Sequence, residues 1–147
     1  MAIRNRTVII GCGKLGTKIA NDCAAKGENV VVVDIDEYVE ERLSDPFPGV
    51  IVVGDATNLS MLEQRANIAS ARDVIITTGN DNVNIFLAHV LDKIYKTPHV
   101  YVRLDDLSYK DLIIGKYKDG TPMRIKAIYP TKLSYEAFTE VKMEDDK

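Results

Sequence analysis

Six short apolar runs recur along the chain, and a helical pattern follows each one. The runs are "TVIIG" (Thr7–Gly11), "NVVVVDID" (Asn29–Asp36), "VIVVGDAT" (Val50–Thr57), "DVIITTGN" (Asp73–Asn80), "HVYVRL" (His99–Leu104) and "RIKAIYP" (Arg124–Pro130). Runs that are apolar throughout and rich in β-branched residues are buried on both faces, as in a parallel sheet. Helices are predicted over Leu15–Gly27, Glu37–Ser44, Ser60–Asn67, Asp81–Tyr95, Ser108–Tyr117 and Thr131–Lys142. Gly27 closes the first, and "DPFPG" stops the second. Ser60 followed by Glu63 reads as an N-terminal capping box. Right-handed crossovers then place helices on both sides of the sheet. The expected fold is α/β, a Rossmann-like doubly wound parallel sheet of six strands in the order 3-2-1-4-5-6, with a C-terminal helix. Residues 1–130 form the nucleotide-binding domain in this reading. Residues 131–147 form the last helix and an acidic tail, "MEDDK", a solvated charge run.

Composition leaves several classes of function unsupported. The chain has 147 residues and a net charge of −3, so it has no strong attraction for nucleic-acid phosphates. No apolar run approaches the roughly 18 residues of a membrane span, and the N-terminus lacks the apolar stretch of a signal peptide. A cytoplasmic protein is expected. Cys12 and Cys23 belong to no CxxC pattern and have no histidine nearby in sequence, so no metal site is predicted. They read as reduced, mostly buried thiols, and His89 and His99 are given no catalytic role.

The chemistry lies in "VIIGCGKLG". Gly11, Gly13 and Gly16 form a GxGxxG between a strand and a helix, the context that gives this motif meaning. The first glycine allows the tight turn, the second lets the backbone approach a pyrophosphate, and the third lets helix and sheet pack closely. Unpaired N–H groups and the positive end of the helix dipole then face the phosphates. Lys14 either adds a charge beside them or is an exposed first-turn lysine. Asp34 ends the second strand, where an acid accepts hydrogen bonds from the ribose hydroxyls and repels a 2′-phosphate, favouring NAD over NADP. Its neighbour Ile35 borders the same place, and Asp36 is read as structural. Gly54, Asp55 and Ala56 end the third strand beside the glycine loop and are candidates for the adenine, with Asp55 bonding the exocyclic amine. Thr77, Thr78, Gly79 and Asn80 lie across the switch point between strands one and four, as candidate ribose or phosphate contacts. Asn80 or Asp81 serves equally as a plain helix cap. Arg103 either points to this edge or makes a surface ion pair.

Machinery for using a cofactor is missing. None of the tyrosines is followed four residues later by a lysine, so there is no Tyr-x-x-x-Lys pair. There is no Gly-x-Ser-x-Gly, no HExxH and no Walker lysine. Nor is there a substrate domain to close over a nicotinamide. No catalytic residue is assigned.

"VIIGCGKLG", "VVVDID", "VVGDAT", "DVIITTGND" and "VYVRLDD" together resemble the TrkA N-terminal (RCK/KTN) domain of prokaryotic potassium uptake systems and related channels, from about Val8 to Pro130. The "GDAT" block is the most discriminating piece. The resemblance implies a regulatory subunit, not an enzyme, that binds NAD(H) or ATP, ADP or AMP in the Rossmann cleft. It implies a homodimer, an octameric ring or a hetero-ring with a longer homologous subunit, beneath a membrane-embedded potassium translocator whose pore it gates. It carries the phosphate loop onto Gly11, Cys12, Gly13, Lys14 and Leu15, with Gly16 closing the motif. Asp34 takes the ribose role, Asp55 and Ala56 the adenine pocket, and Thr77 to Asn80 the wall near the phosphates. Lys14 stands where many members have arginine, a point charge in place of a fork. The last helix resembles the family's crossover helix, which packs on a neighbouring subunit. The sequence departs from the pattern in three places. Thr131 follows Pro130 where many members carry an acid implicated in divalent-cation binding. "GKYKDGTPMRI" is longer than the usual turn. No ligand-binding domain follows, so either a truncated chain or a short form working with a longer partner is expected. The alternative function is the cofactor-binding subunit of an NAD-dependent oxidoreductase whose catalytic part is a separate chain.

Overall fold

The valine-rich runs do assemble side by side. In the computed structural model, which describes residues 3–146, β1 (Arg6–Ile10), β2 (Asn29–Asp34), β3 (Val50–Val53), β4 (Ala71–Ile76), β5 (His99–Arg103) and β6 (Ile125–Ile128) form one six-stranded sheet. Its order is β3-β2-β1-β4-β5-β6, and every neighbouring pair is parallel. Successive side chains of a strand point to opposite faces. Val8 and Ile10 of β1 therefore join one apolar cluster with Val31, Val33, Val74 and Ile76. Ile9 joins the other, with Val30 and Val32.

The helices divide between these faces. α1 (Lys14–Ala25) buries Gly16, Ala20 and Ala24, and these two buried alanines belong to the Ile9 face. α2 (Leu59–Gln64) and α3 (Asp81–His89) supply Met61, Leu62, Ile85 and Leu87 to the other. Over β4–β6 the α1 side carries no such cover. Ile128 is exposed there, and a hollow of about 290 Å³ opens among Ile19, Ile75, Tyr101, Lys126, Ala127 and Ile128.

Several predicted elements differ in detail. The segment predicted as helix Glu37–Ser44 holds only a 3-10 turn at Val39–Arg42, anchored by the buried Val39 and Leu43. Likewise Ser108–Tyr117 reduces to a 3-10 helix at Leu107–Leu112 with no buried residue. Ser60 is not the cap of α2. Asn58 is, its side chain accepting the Met61 N–H at 3.2 Å, and Ser60 lies inside the helix. α3 gives way to a π-helical turn at Val90–Ile94 before Tyr95. α4 (Pro130–Asp145) runs through most of the predicted acidic tail, yet buries none of its residues. Leu133, Tyr135, Phe138 and Val141 stand 57–66% exposed on it, an apolar stripe whose Tyr135 borders a hollow shared with Asp105, Asp106 and Leu107.

Candidate functional site

All six strands point their carboxyl ends toward one edge of the sheet, and the candidate residues gather there. The chain leaves β1 through Gly11, whose φ of +89° favours glycine. A Cβ at Gly11 would lie 2.6 Å from the Thr78 nitrogen, and one at Gly16 would lie 2.0 Å from the Gly11 oxygen. Gly13 differs, since a Cβ there would meet nothing within 4 Å of the protein. Gly13 is also the N-cap of α1 and offers no side-chain bond to it. The first-turn N–H groups of a helix lack intrahelical partners, so this end presents donors and positive dipole to the open space over Gly13.

Asp34 holds the loop in place. Its Oδ2 accepts the Cys12 N–H at 2.7 Å and its Oδ1 accepts the Asp36 N–H at 2.8 Å. Arg42, from the 3-10 turn, closes the same corner. Its Nε donates to the Cys12 carbonyl at 2.9 Å, its Nη1 to Asp36 at 2.6 Å, and its Nη2 lies 3.5 Å from Asp34. The guanidinium hydrogen bond and the Tyr38 N–H hold the Asp36 carboxyl below its usual range. Cys12 is buried in this corner, and burial, reinforced by the charge of Asp34, pushes its thiol up to about 12. A thiol so raised stays protonated and is not a nucleophile at neutral pH. Burial followed by a hydrogen bond with Glu28 raises Cys23 to about 11.

Across the switch point, Thr77 Oγ1 donates to the Gly11 carbonyl at 2.6 Å, which ties β4 to the loop. Thr78 hydrogen-bonds the buried Asn84, whose amide also donates to the Thr78 and Arg103 carbonyls at 3.0 and 2.9 Å. Asn80 caps α3 by accepting the Val83 N–H at 3.1 Å, so of its two sequence readings the cap is realised. Arg103 makes the surface ion pair, Nε to Asp105 Oδ1 at 3.1 Å. Gly54 donates its N–H to the Asp34 carbonyl at 2.9 Å, bringing the end of β3 against the end of β2. Ala56 is buried beyond it. Asp55 is exposed, and its Oδ1 accepts the N–H and hydroxyl of Thr57 at 2.9 and 2.7 Å. Lys14, Ile35 and Gly79 are exposed at the rim, with no side-chain bond to the loop. Leu15 is half-buried at the start of α1.

Three residues of this edge were not legible as site residues in the sequence. Arg42 is one, although an arginine shortly after the acid of the second strand was a usable signal. Asn84 is another, a lone amide between apolar neighbours of α3. Asp81 is the third, accepting the Asp105 and Asp106 N–H groups at 2.9 Å each. The histidines serve structure: His89 Nε2 lies 2.6 Å from the Leu112 carbonyl, and His99 stacks near Tyr101 with ring centroids 6.5 Å apart.

Sheet order, switch point and glycine loop together define a Rossmann-like domain. The chain belongs to the TrkA-N domain family, which it matches over residues 7–117. It is 35% identical over 86 residues to a Trk system potassium uptake protein TrkA homolog of Pyrococcus horikoshii, covering 58% of this chain and 37% of that protein. It is 27% identical over 128 residues to the TrkA homolog of Methanothermobacter thermautotrophicus, covering 86% of this chain and 58% of the relative. The chain thus matches only about a third to three-fifths of these relatives' lengths. Among solved structures, the GsuK channel bound to NAD superimposes with a TM-score of 0.75 at 23% identity, over 97% of this chain and 24% of that one. The NAD(P)-binding domain of an exopolyphosphatase-related protein from Archaeoglobus fulgidus gives 0.70 at 20%, over 96% and 99%. The Kef C-terminal domain of Shewanella denitrificans in AMP-bound form gives 0.63 at 19%, over 93% and 81%. At these identities the structures share the fold.

Proposed function

We propose that this chain is a nucleotide-sensing regulatory module of a potassium transport system, binding NAD(H) or ATP, ADP or AMP and performing no chemistry of its own. The observation that carries the reading is the side-chain-free N-terminus of α1 at Gly13, set beside Asp34 at the end of β2. A phosphate lies over Gly13. The ribose hydroxyls reach Asp34, whose carboxylate retains lone pairs beyond the two already engaged. Adenine lies along Gly54, Asp55 and Ala56, and Thr77 to Asn80 wall the phosphate side. Lys14, exposed on the first turn, supplies a flexible charge, and Arg103 remains at the rim in its ion pair. Naming of the relatives as potassium uptake proteins supports the transport role.

The apolar stripe of α4 and the uncovered face of β4–β6 supply the subunit contact of a homodimer, alone or within a ring. Such an assembly sits on the inner face of the membrane beneath its transporter. A nucleotide that binds two arrangements of the assembly unequally shifts their populations, and one that binds both equally shifts nothing. Native mass spectrometry of the purified chain tests the reading. A dimer or larger ring carrying the mass of an adenine nucleotide is the expected result. A nucleotide-free monomer, or hydride turnover by the isolated chain, contradicts it.

A further inference from the structure

The opposite edge of the sheet carries a second built hollow. It lies at the amino-terminal ends of β5 and β6, has a volume of about 570 Å³, and is walled by Asp92, Lys93, Lys96, Thr97, Tyr117 and Arg124. The long segment before β6 forms its outer wall. That segment folds back on itself through the Lys116–Pro122 bridge and the Tyr117 N–H to Thr121 carbonyl bond at 2.9 Å.

Its acids are already occupied. Asp92 Oδ2 accepts the Tyr117 hydroxyl at 2.6 Å and the Arg124 N–H at 3.3 Å. Asp119 pairs with Lys93, which also lies 4.9 Å from the centroid of the Tyr117 ring. Two cations are left over: among the described residues, neither Lys96 nor Arg124 forms an ion pair. Thr97 lines the same hollow, is 2% exposed, and has its Oγ1 buried without a hydrogen-bond partner. A buried hydroxyl left unpaired costs about 1–3 kcal/mol, so such groups normally find partners. The carbonyls at the end of the preceding helix do not repel an anion unopposed. Arg4 donates to those of Tyr95 and Lys96 at 2.7 and 3.1 Å.

We propose that this hollow is a second ligand site, taking a phosphate monoester of a small hydroxylated molecule. Lys96, Thr97 and Arg124 hold the phosphate. They are separate donors lining one hollow, which suits an oxygen-rich tetrahedral group better than a planar carboxylate. Asp92 Oδ1, which takes no bond from the described residues, accepts a hydroxyl of the ligand. The volume exceeds what a free phosphate needs. The proposal is independent of the nucleotide cleft.

Calorimetry at low salt tests it, with glycerol 3-phosphate and inorganic phosphate titrated separately into wild type, Thr97→Val, Arg124→Gln, Lys126→Gln and Gly13→Ala. Wild type is expected to bind glycerol 3-phosphate more tightly than inorganic phosphate. Thr97→Val and Arg124→Gln each weaken it at least tenfold, while Lys126→Gln leaves it unchanged and Gly13→Ala, which alters the nucleotide cleft, does not abolish it. Thr97→Val is expected to melt no lower than wild type in phosphate-free buffer, because it removes an unpaired hydroxyl. Arg124 is exposed, so its variant keeps the test valid if Thr97→Val misfolds. The proposal is overturned by no binding to wild type, by equal weakening in Lys126→Gln, or by binding lost in Gly13→Ala and kept in Arg124→Gln. Tighter binding of inorganic phosphate than of the ester would also overturn the ligand class.

Discussion

Gly16→Ala is expected to be the most damaging single methyl group that can be added to this chain. Its Cβ would meet the Gly11 oxygen at 2.0 Å and Thr77 Oγ1 at 2.7 Å, and both partners are fixed by their own hydrogen bond. Relief requires α1 to lift from β1 or the β1–β4 tie to break. Either places the substitution in the class that costs about 4 kcal/mol or more. For a chain of this size that lowers Tm by roughly 8–16 °C. Thermal unfolding followed by circular dichroism checks this. A Tm within 2 °C of wild type would show that α1 is not packed as described.

Asp34→Ala carries the second large effect, and acts on both fold and ligand. It strips the Cys12 and Asp36 N–H groups of their acceptor and leaves Arg42 with Asp36 and the Cys12 carbonyl alone. A buried N–H without a partner costs about 1–3 kcal/mol. The variant should therefore melt lower than wild type but remain folded. It should also lose at least tenfold in affinity for NAD and AMP alike, because the proposed site sets the ribose of each against Asp34. Asp34→Asn, which keeps one acceptor oxygen, should recover part of the stability and little of the binding. Unchanged nucleotide affinity in Asp34→Ala would remove this residue from the site, whatever happened to its Tm.

The sheet was legible because β-branched runs and the handedness of crossovers leave few topologies. What sequence reading overextended were the strand ends. "DID", "GDAT" and "TTGN" were assigned to strands, yet β2 stops at Asp34, β3 at Val53 and β4 at Ile76. These polar ends leave the ladder because they build the cleft edge. The two predicted helices that shrank to 3-10 turns bury few side chains, Val39 and Leu43 in the first segment and Ile113, just past the 3-10 helix, in the second. The π-helical turn after His89 follows no periodicity, and its Asp92 takes bonds from Tyr117 and Arg124, distant in sequence. Gly11 and Gly16 were identifiable because each answers a backbone demand, whereas Asp34 was read as a ribose ligand and its bonds to the Cys12 and Asp36 N–H groups became visible only in the fold. Arg42 and Asn84 were not, since their roles rest on carbonyls brought near them only by the finished fold. Arg103 and Asn80 were open between two roles, and the structure uses them as an ion-pair partner and a helix cap.

The central claim is that a nucleotide phosphate sits over Gly13, and Gly13→Ala separates that claim from the stability of the fold. The added Cβ meets no protein atom within 4 Å, so the variant should melt close to wild type. It would, however, project into the space assigned to the phosphate. Calorimetric titration of NAD and AMP into wild type and Gly13→Ala is the direct measurement. Binding to wild type with at least tenfold weaker binding to the folded variant is the predicted result. Equal affinities, or no binding to either protein at millimolar nucleotide, would contradict it.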